Sequence, residues 1–194
     1  IDRDGIVHRV AGTPPKDEEP QTAAEWLRAT GRSTSFDVET GMFPNQHDSL
    51  LRTTLAPLTG DALAGVVFGE TPPRDHDVGS YGLQAWMDGW RYSATAENLG
   101  DWYDVGAVLG LLNHLLAARG RDLRCLTLPT GDQTAIVACG PVAGLKTALR
   151  GRLLASDDPD SARATGKAFE DKVFEQLQKE GGGTVERNVP LGAP

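Results

Sequence analysis

Asp88-Gly89 separates two strand-like stretches, residues 81–87 and 90–96, which carry Trp86, Trp90 and Tyr92. An Asp-Gly pair tolerates the left-handed backbone that a two-residue hairpin turn demands, and flanking aromatics suit half-buried strands. The chain must therefore double back here into antiparallel sheet. An equally firm helical commitment follows at residues 101–119. Val105, Val108, Leu109, Leu112, Leu115 and Leu116 recur at helical spacing to form a wide apolar face, and Gly120 supplies the stop.

The remaining elements fall around these two. Residues 1–10 alternate about Asp4-Gly5 and predict a second hairpin of the same kind, followed by a proline- and charge-rich linker over 12–21. A short helix with Ala23, Ala24, Trp26 and Leu27 is expected to end at Gly31. Residues 34–43 predict two short strands around Glu39-Thr40-Gly41. Asn45 to Asp48 offers capping groups for a helix through Leu50, Leu51, Leu55 and Leu58, and the apolar run 63–68 predicts a buried strand. Two more strands are expected at 123–128 and 134–139, joined by Pro129-Thr130-Gly131-Asp132. Pro141 then starts a helix through Leu145, Leu149 and Leu153.

These elements predict an α+β fold, with an antiparallel-rich mixed sheet covered by helices. Helix, Gly-Arg, strand, Thr-Gly turn, strand and helix occur in that order in 23–58 and again in 112–149, which raises the prospect of two αββα repeats. The domain reading is an N-terminal hairpin and linker over 1–21, a main domain over 22–154, a linker over 155–165, and a C-terminal helix and strand over 166–194. That last piece is expected either to dock on the main domain through Phe169, Val173, Phe174 and Leu177 or to begin another one.

Composition enters where function is concerned. Twenty-seven acidic residues against 19 basic ones leave a net charge of −8, which repels a phosphate backbone and argues against direct nucleic-acid binding. An acidic surface suits a basic partner, and it also serves plain solubility. No long uncharged apolar run and no charged-then-apolar stretch stand out in these residues, so neither a membrane span nor a signal peptide is expected within them. Because the first residue is Ile1, the chain is expected to be an excised segment. Cys125 and Cys139 lie in apolar runs on neighbouring strands and read as reduced, buried residues, which points to a cytoplasmic setting.

Catalytic templates fail: there is no Gly-x-Ser-x-Gly elbow, His-Glu-x-x-His pair, phosphate-binding loop or zinc spacing, so no catalytic residue, metal or cofactor is expected. The four histidines, His8, His47, His76 and His114, are scattered, and His47-Asp48 reads as part of a helix cap. Gly100-Asp101-Trp102-Tyr103-Asp104 is more informative. Asp101 or Asp104 can cap the long helix, and two aromatics beside two carboxylates also suit an interface with a basic protein. Asp101, Trp102, Tyr103 and Asp104, with Asp75 and Asp77 of an acidic loop, are the candidate partner-binding residues. The competing reading is that both aromatics staple helix to sheet.

Phe36-Asp37-Val38-Glu39-Thr40-Gly41-Met42-Phe43 and the helix after it resemble a stretch of small α/β immunity proteins from bacterial polymorphic toxin systems. Trp102-Tyr103-Asp104 with Asn113, and Leu128-Pro129-Thr130-Gly131-Asp132-Gln133-Thr134-Ala135, are similar in kind. The resemblance covers roughly residues 23–153 and implies a non-catalytic protein that neutralises a toxin by plugging or masking it. Gly166-Lys167-Ala168-Phe169-Glu170, with Val173, Leu177, Gly181, Val185 and Asn188, resembles the opening helix and strand of restriction-endonuclease-fold nucleases. There the helix glutamate, Glu170 here, would assist a divalent metal, and this chain would be a regulatory segment of a larger enzyme. The expectation carried forward is an immunity-type or adaptor protein that neutralises or docks a basic protein partner such as a bacterial toxin, with the nuclease segment as the alternative.

Overall fold

A computed structural model describes the backbone of residues 23–76 and 78–181 and the side chains of 23–76 and 78–176. The expected hairpin at 1–10, the linker at 12–21, Asp77, the Leu177 side chain and the strand start at 184–189 lie outside the described residues.

The centre of the molecule is helix α3, Val105–Ala118, the third α-helix among the described residues. Asp104 caps its start, the Oδ1 atom accepting the Ala107 N–H at 2.8 Å. At its end Gly120 takes φ 66°, so that its own N–H and that of Arg121 can return to the carbonyls of Ala117 and Leu116. Leu111 joins the six expected apolar positions in being buried, which makes the helix apolar on nearly all sides. Such a helix needs protein on more than one side. It has it: α3 packs against strand β4, Trp90–Glu97, and against strand β5, Leu123–Leu128, which belong to different sheets.

The first sheet has the order β1-β6-β5, where β1 is Ser33–Asp37 and β6 is Thr134–Pro141. The second has the order β2-β3-β4, with β2 at Val67–Thr71 and β3 at Ser80–Met87. Among the described residues every strand pairing is antiparallel, and the α+β class is realised there as two small sheets. The first is covered on both faces. Cys125, Ala135, Val137 and Cys139 point into the main core with α3. Ala138, Leu126, Ile136 and Leu128 point the other way, onto helix α1, Ala23–Ala29, and helix α4, Val142–Arg150. The second sheet sends Phe68, Tyr81, Leu83, Ala85, Met87 and Ala96 inward, and among the described residues nothing covers its other face. The Asp88-Gly89 hairpin forms as expected, both residues taking positive φ.

Residues 38–43 do not form the expected second strand. β1 instead pairs with β6, so the first αββα unit is not made and strands from both expected repeats share one sheet. The expected buried strand at 63–68 is also displaced. A short helix α2, His47–Ser49, runs on through a π turn, Leu50–Leu55, and a 3₁₀ helix, Ala56–Leu63, before β2 begins. Proline near the start of the 3₁₀ segment and Gly60 at φ 60° inside it prevent one regular α-helix here. Val67 is consequently exposed on the open sheet face, while Leu63 and Phe68 are buried. Finally, helix α5, Ser161–Gly181, starts inside the stretch read as a linker. It docks through Ala162 and Gly166, whereas Phe169 and Val173 are exposed rather than packed on the core.

Candidate functional site

The two sheets meet where the chain leaves β1. Asp37 Oδ1 accepts the N–H of Glu39 at 3.0 Å, turning the chain out of the sheet. Residues 38–40 then run antiparallel to 101–103. Tyr103 N–H donates to the Val38 carbonyl at 2.9 Å, and Thr40 donates both its N–H and its hydroxyl to the Asp101 carbonyl, at 2.6 and 2.7 Å. A single bridge pairs Glu39 with Trp102.

Carboxylates gather along this seam. Gln133, from the β5–β6 turn, donates its amide to Asp37 and to Glu39 Oε2, at 3.1 and 3.0 Å. Glu39 is held above its ordinary pKa, first by partial burial and then by the negative charges of Glu170, Asp101 and Asp37, with the Gln133 hydrogen bond opposing them. Glu170 reaches the seam because α5 lies across Trp102 with almost no separation. A Cβ added at Gly166 would sit 2.5 Å from the indole and 2.9 Å from Gln133 Cβ. One turn of chain chemistry is mixed into the acids: Lys167 Nζ stands 5.3 Å from the Trp102 ring centroid. Phe169, beside Glu170, is 65% exposed. The surface is thus an acidic rim with a protruding aromatic.

The residues singled out from sequence divide into two groups. Asp101 is part of the seam and partly exposed. Tyr103 is half-buried, its ring edge-on to Phe36 and His47 at 6.2 and 5.3 Å, and burial pushes its phenol up. Trp102 is 2% exposed and so unable to serve as a surface contact; it is the staple between α5 and the seam. Asp104 is likewise occupied. Its Oδ1 caps α3 and its Oδ2 accepts the Glu97 N–H at 2.8 Å. Asp75 is exposed in the β2–β3 loop, which is tied down by Asn98 donating to the carbonyls of Asp75 and His76. His76 approaches Gly100, placing this loop beside the approach to Asp101. Asp77 lies outside the described residues.

Sequence reasoning missed the polar cluster beneath the seam. His47 is completely buried, and Glu70 Oε2 accepts both its backbone N–H, at 2.7 Å, and its Nδ1–H, at 2.8 Å. The other ring nitrogen, Nε2, accepts the Asp104 N–H at 3.2 Å. These bonds fit the tautomer with hydrogen on Nδ1 and engage both ring nitrogens. The dyad ties the start of α2 to β2 and to the residue that caps α3. Asn45, also fully buried, donates to the carbonyls of Gly100 and Trp102 at 3.0 and 2.7 Å. The only local signal was the polar run at 45–48, which also suited a helix cap.

Among the described residues no group of three or more His, Cys, Asp or Glu side chains is placed to hold a metal ion, and no helix is long and apolar enough to cross a membrane. Glu170 stands in the structure as one carboxylate of the acidic seam. Compared with known proteins, the chain matches no family model, no curated protein and no solved structure.

Proposed function

We propose that this chain is a binding protein of the immunity or adaptor type, which docks a basic protein partner, such as a bacterial toxin, on the acidic seam. The observation that carries the reading is the convergence of Asp37, Glu39, Asp101 and Glu170 from three separate elements, close enough that three of them raise the proton affinity of the fourth. Packing like charges together costs stability, and a cationic partner relieves that cost on binding. Asp75 extends the negative surface beside Gly100, and the exposed Phe169 provides an apolar anchor of the kind that interfaces place among charges.

The test is charge reversal at the exposed acids, away from the helix cap. The chain and an Asp37→Lys/Glu170→Lys variant are immobilised and used to capture proteins from the source cells at low and high salt. The wild-type chain should retain a strongly basic protein whose association slows by roughly tenfold or more in the variant, with a flatter salt dependence. Equal association rates and equal salt slopes for the two chains would overturn the seam as the docking surface.

A further inference from the structure

Cys125 and Cys139 face each other across the β5–β6 pair and are both buried in the main core. Their backbone bonds show which kind of cross-strand pair they form. The Cys139 N–H donates outward to the Arg32 carbonyl at 2.8 Å. The Cys125 N–H and carbonyl face the opposite way, to the side chain of Asn113, at 2.8 and 2.9 Å. Neither residue spends its backbone groups on the other, so this is the closely spaced, non-hydrogen-bonded pairing, with Cα atoms about 4.5 Å apart and side chains on one face. That spacing falls inside the range a disulfide bridges, about 4.4–6.8 Å between Cα atoms. Both side chains point into the same core, so the two sulfurs face one another across the strand pair.

We propose that Cys125 and Cys139 form a peroxide-reactive dithiol that closes into a reversible cross-strand disulfide. The Cys139 thiolate attacks one peroxide oxygen; the O–O bond breaks, leaving a sulfenic acid on Cys139 and hydroxide, which takes a proton to become water. The Cys125 sulfur then attacks the Cys139 sulfur. The S–S bond forms, and the sulfenic oxygen leaves with the Cys125 proton as a second water. Two thiols lose two electrons and the peroxide gains them. The pair supplies its own asymmetry. Cys139 is held below its usual thiol range by the hydrogen bond from Cys125, and to a lesser degree by the Arg32 guanidinium, against the opposing effect of burial; Cys125 is pushed up. Peroxide is small enough to enter when β5, an edge strand of its sheet, opens locally.

The experiment treats the intact chain with hydrogen peroxide, in buffer and at sub-denaturing urea, and reads intact mass and peptide maps without reduction. The expected product is lighter by two hydrogens, carries a Cys125–Cys139 cross-link, and returns to the starting mass with a phosphine reductant. Cys125→Ser should instead accumulate a Cys139 sulfenic acid that a 1,3-dione traps. Conversion of either thiol to sulfinate without a cross-link, or no modification in either condition, would overturn the proposal.

Discussion

The side-chain amide of Asn113 pairs with both backbone groups of Cys125, donating to the carbonyl at 2.9 Å and accepting the N–H at 2.8 Å. A helix thereby completes the free edge of β5 as a neighbouring strand would, and does so from the turn of α3 that faces the sheet. Edge strands expose unpaired groups that invite foreign strands, and covering them is a recurrent remedy.

Replacing Asn113 with Ala should leave one donor and one acceptor of β5 unpaired beneath α3. The expected cost is about 1–3 kcal/mol, the penalty for an unsatisfied part-buried group. Urea unfolding at equilibrium measures it, with Asn113→Asp as the informative companion because a carboxylate can accept but not donate. A loss well under 0.5 kcal/mol, on the order of an ordinary surface substitution, would mean that water replaces the amide.

Gly166 reverses a normal rule. Within a helix, glycine to alanine ordinarily stabilises by about 0.5–1 kcal/mol. Here the added methyl would meet the Trp102 indole at 2.5 Å, and overpacking costs typically 1–3 kcal/mol. Gly166→Ala should therefore lower the melting temperature, and it should also move α5 off Trp102, seen as increased acrylamide quenching of indole fluorescence. Ala168→Gly, two residues along on the exposed side, should destabilise only by the ordinary helix propensity. A stabilised Gly166→Ala would show that α5 does not dock as described.

Glu70 receives two donors from His47 on one oxygen. Glu70→Ala should strand both in a buried site and cost several kcal/mol, at about 1–3 kcal/mol for each. Glu70→Gln keeps a carbonyl acceptor of the same shape, so it should cost much less. Chemical denaturation of the two variants separates hydrogen bonding from charge: equal losses would indicate that the negative charge, rather than the acceptor geometry, holds His47 in place.

The pH dependence of Glu39 has a definite sign. Its carboxyl lies above the ordinary 4.5 because of burial first and the neighbouring acids second. The folded chain then binds this proton more tightly than the unfolded chain, so the ionised group destabilises the fold. That penalty is complete above the folded pKa and disappears as pH falls below the ordinary value. Glu39→Gln, which retains an acceptor for Gln133, should raise the melting temperature at neutral pH. The gain should shrink toward zero in acid and be smaller at high salt. Melting curves across the acid range that show a constant gain would point to packing as the cause.

Local chemistry announced what local chemistry controls. Asp88-Gly89 forms its turn because both residues tolerate positive φ, and the leucine spacing after Asp104 forms its helix, because each requires only near neighbours. The failures share a different origin. Residues 38–43 had strand-like composition, but the Asp37 side chain turns the chain and Thr40 attaches to Asp101, 61 residues away. Glu70 finds His47 over a separation of 23 residues, and Glu170 meets Glu39 only because Gly166 lets α5 lie against Trp102. In the candidate site, Asp104 was legible as an acid able to cap the helix, which it does, whereas Asp101 lies ahead of the helix in the extended stretch that pairs with residues 38–40. The burial of Trp102 was not legible, since it depends on which distant helix arrives to cover it.

The pairing of β1 with β6 imposes a wait during synthesis. Asp37 must meet Thr134, nearly a hundred positions later, while the whole β2-β3-β4 sheet emerges between them as one contiguous piece. At about 5–20 residues per second, β1 leaves the ribosome roughly 5–20 seconds before its partner strand. Ser33, Thr34, Ser35 and Asp37 make it polar at four of five positions. That composition keeps a newborn, unpaired strand in water until β6 arrives, and it explains why this strand, alone among those of its sheet, contributes so little to the apolar interior.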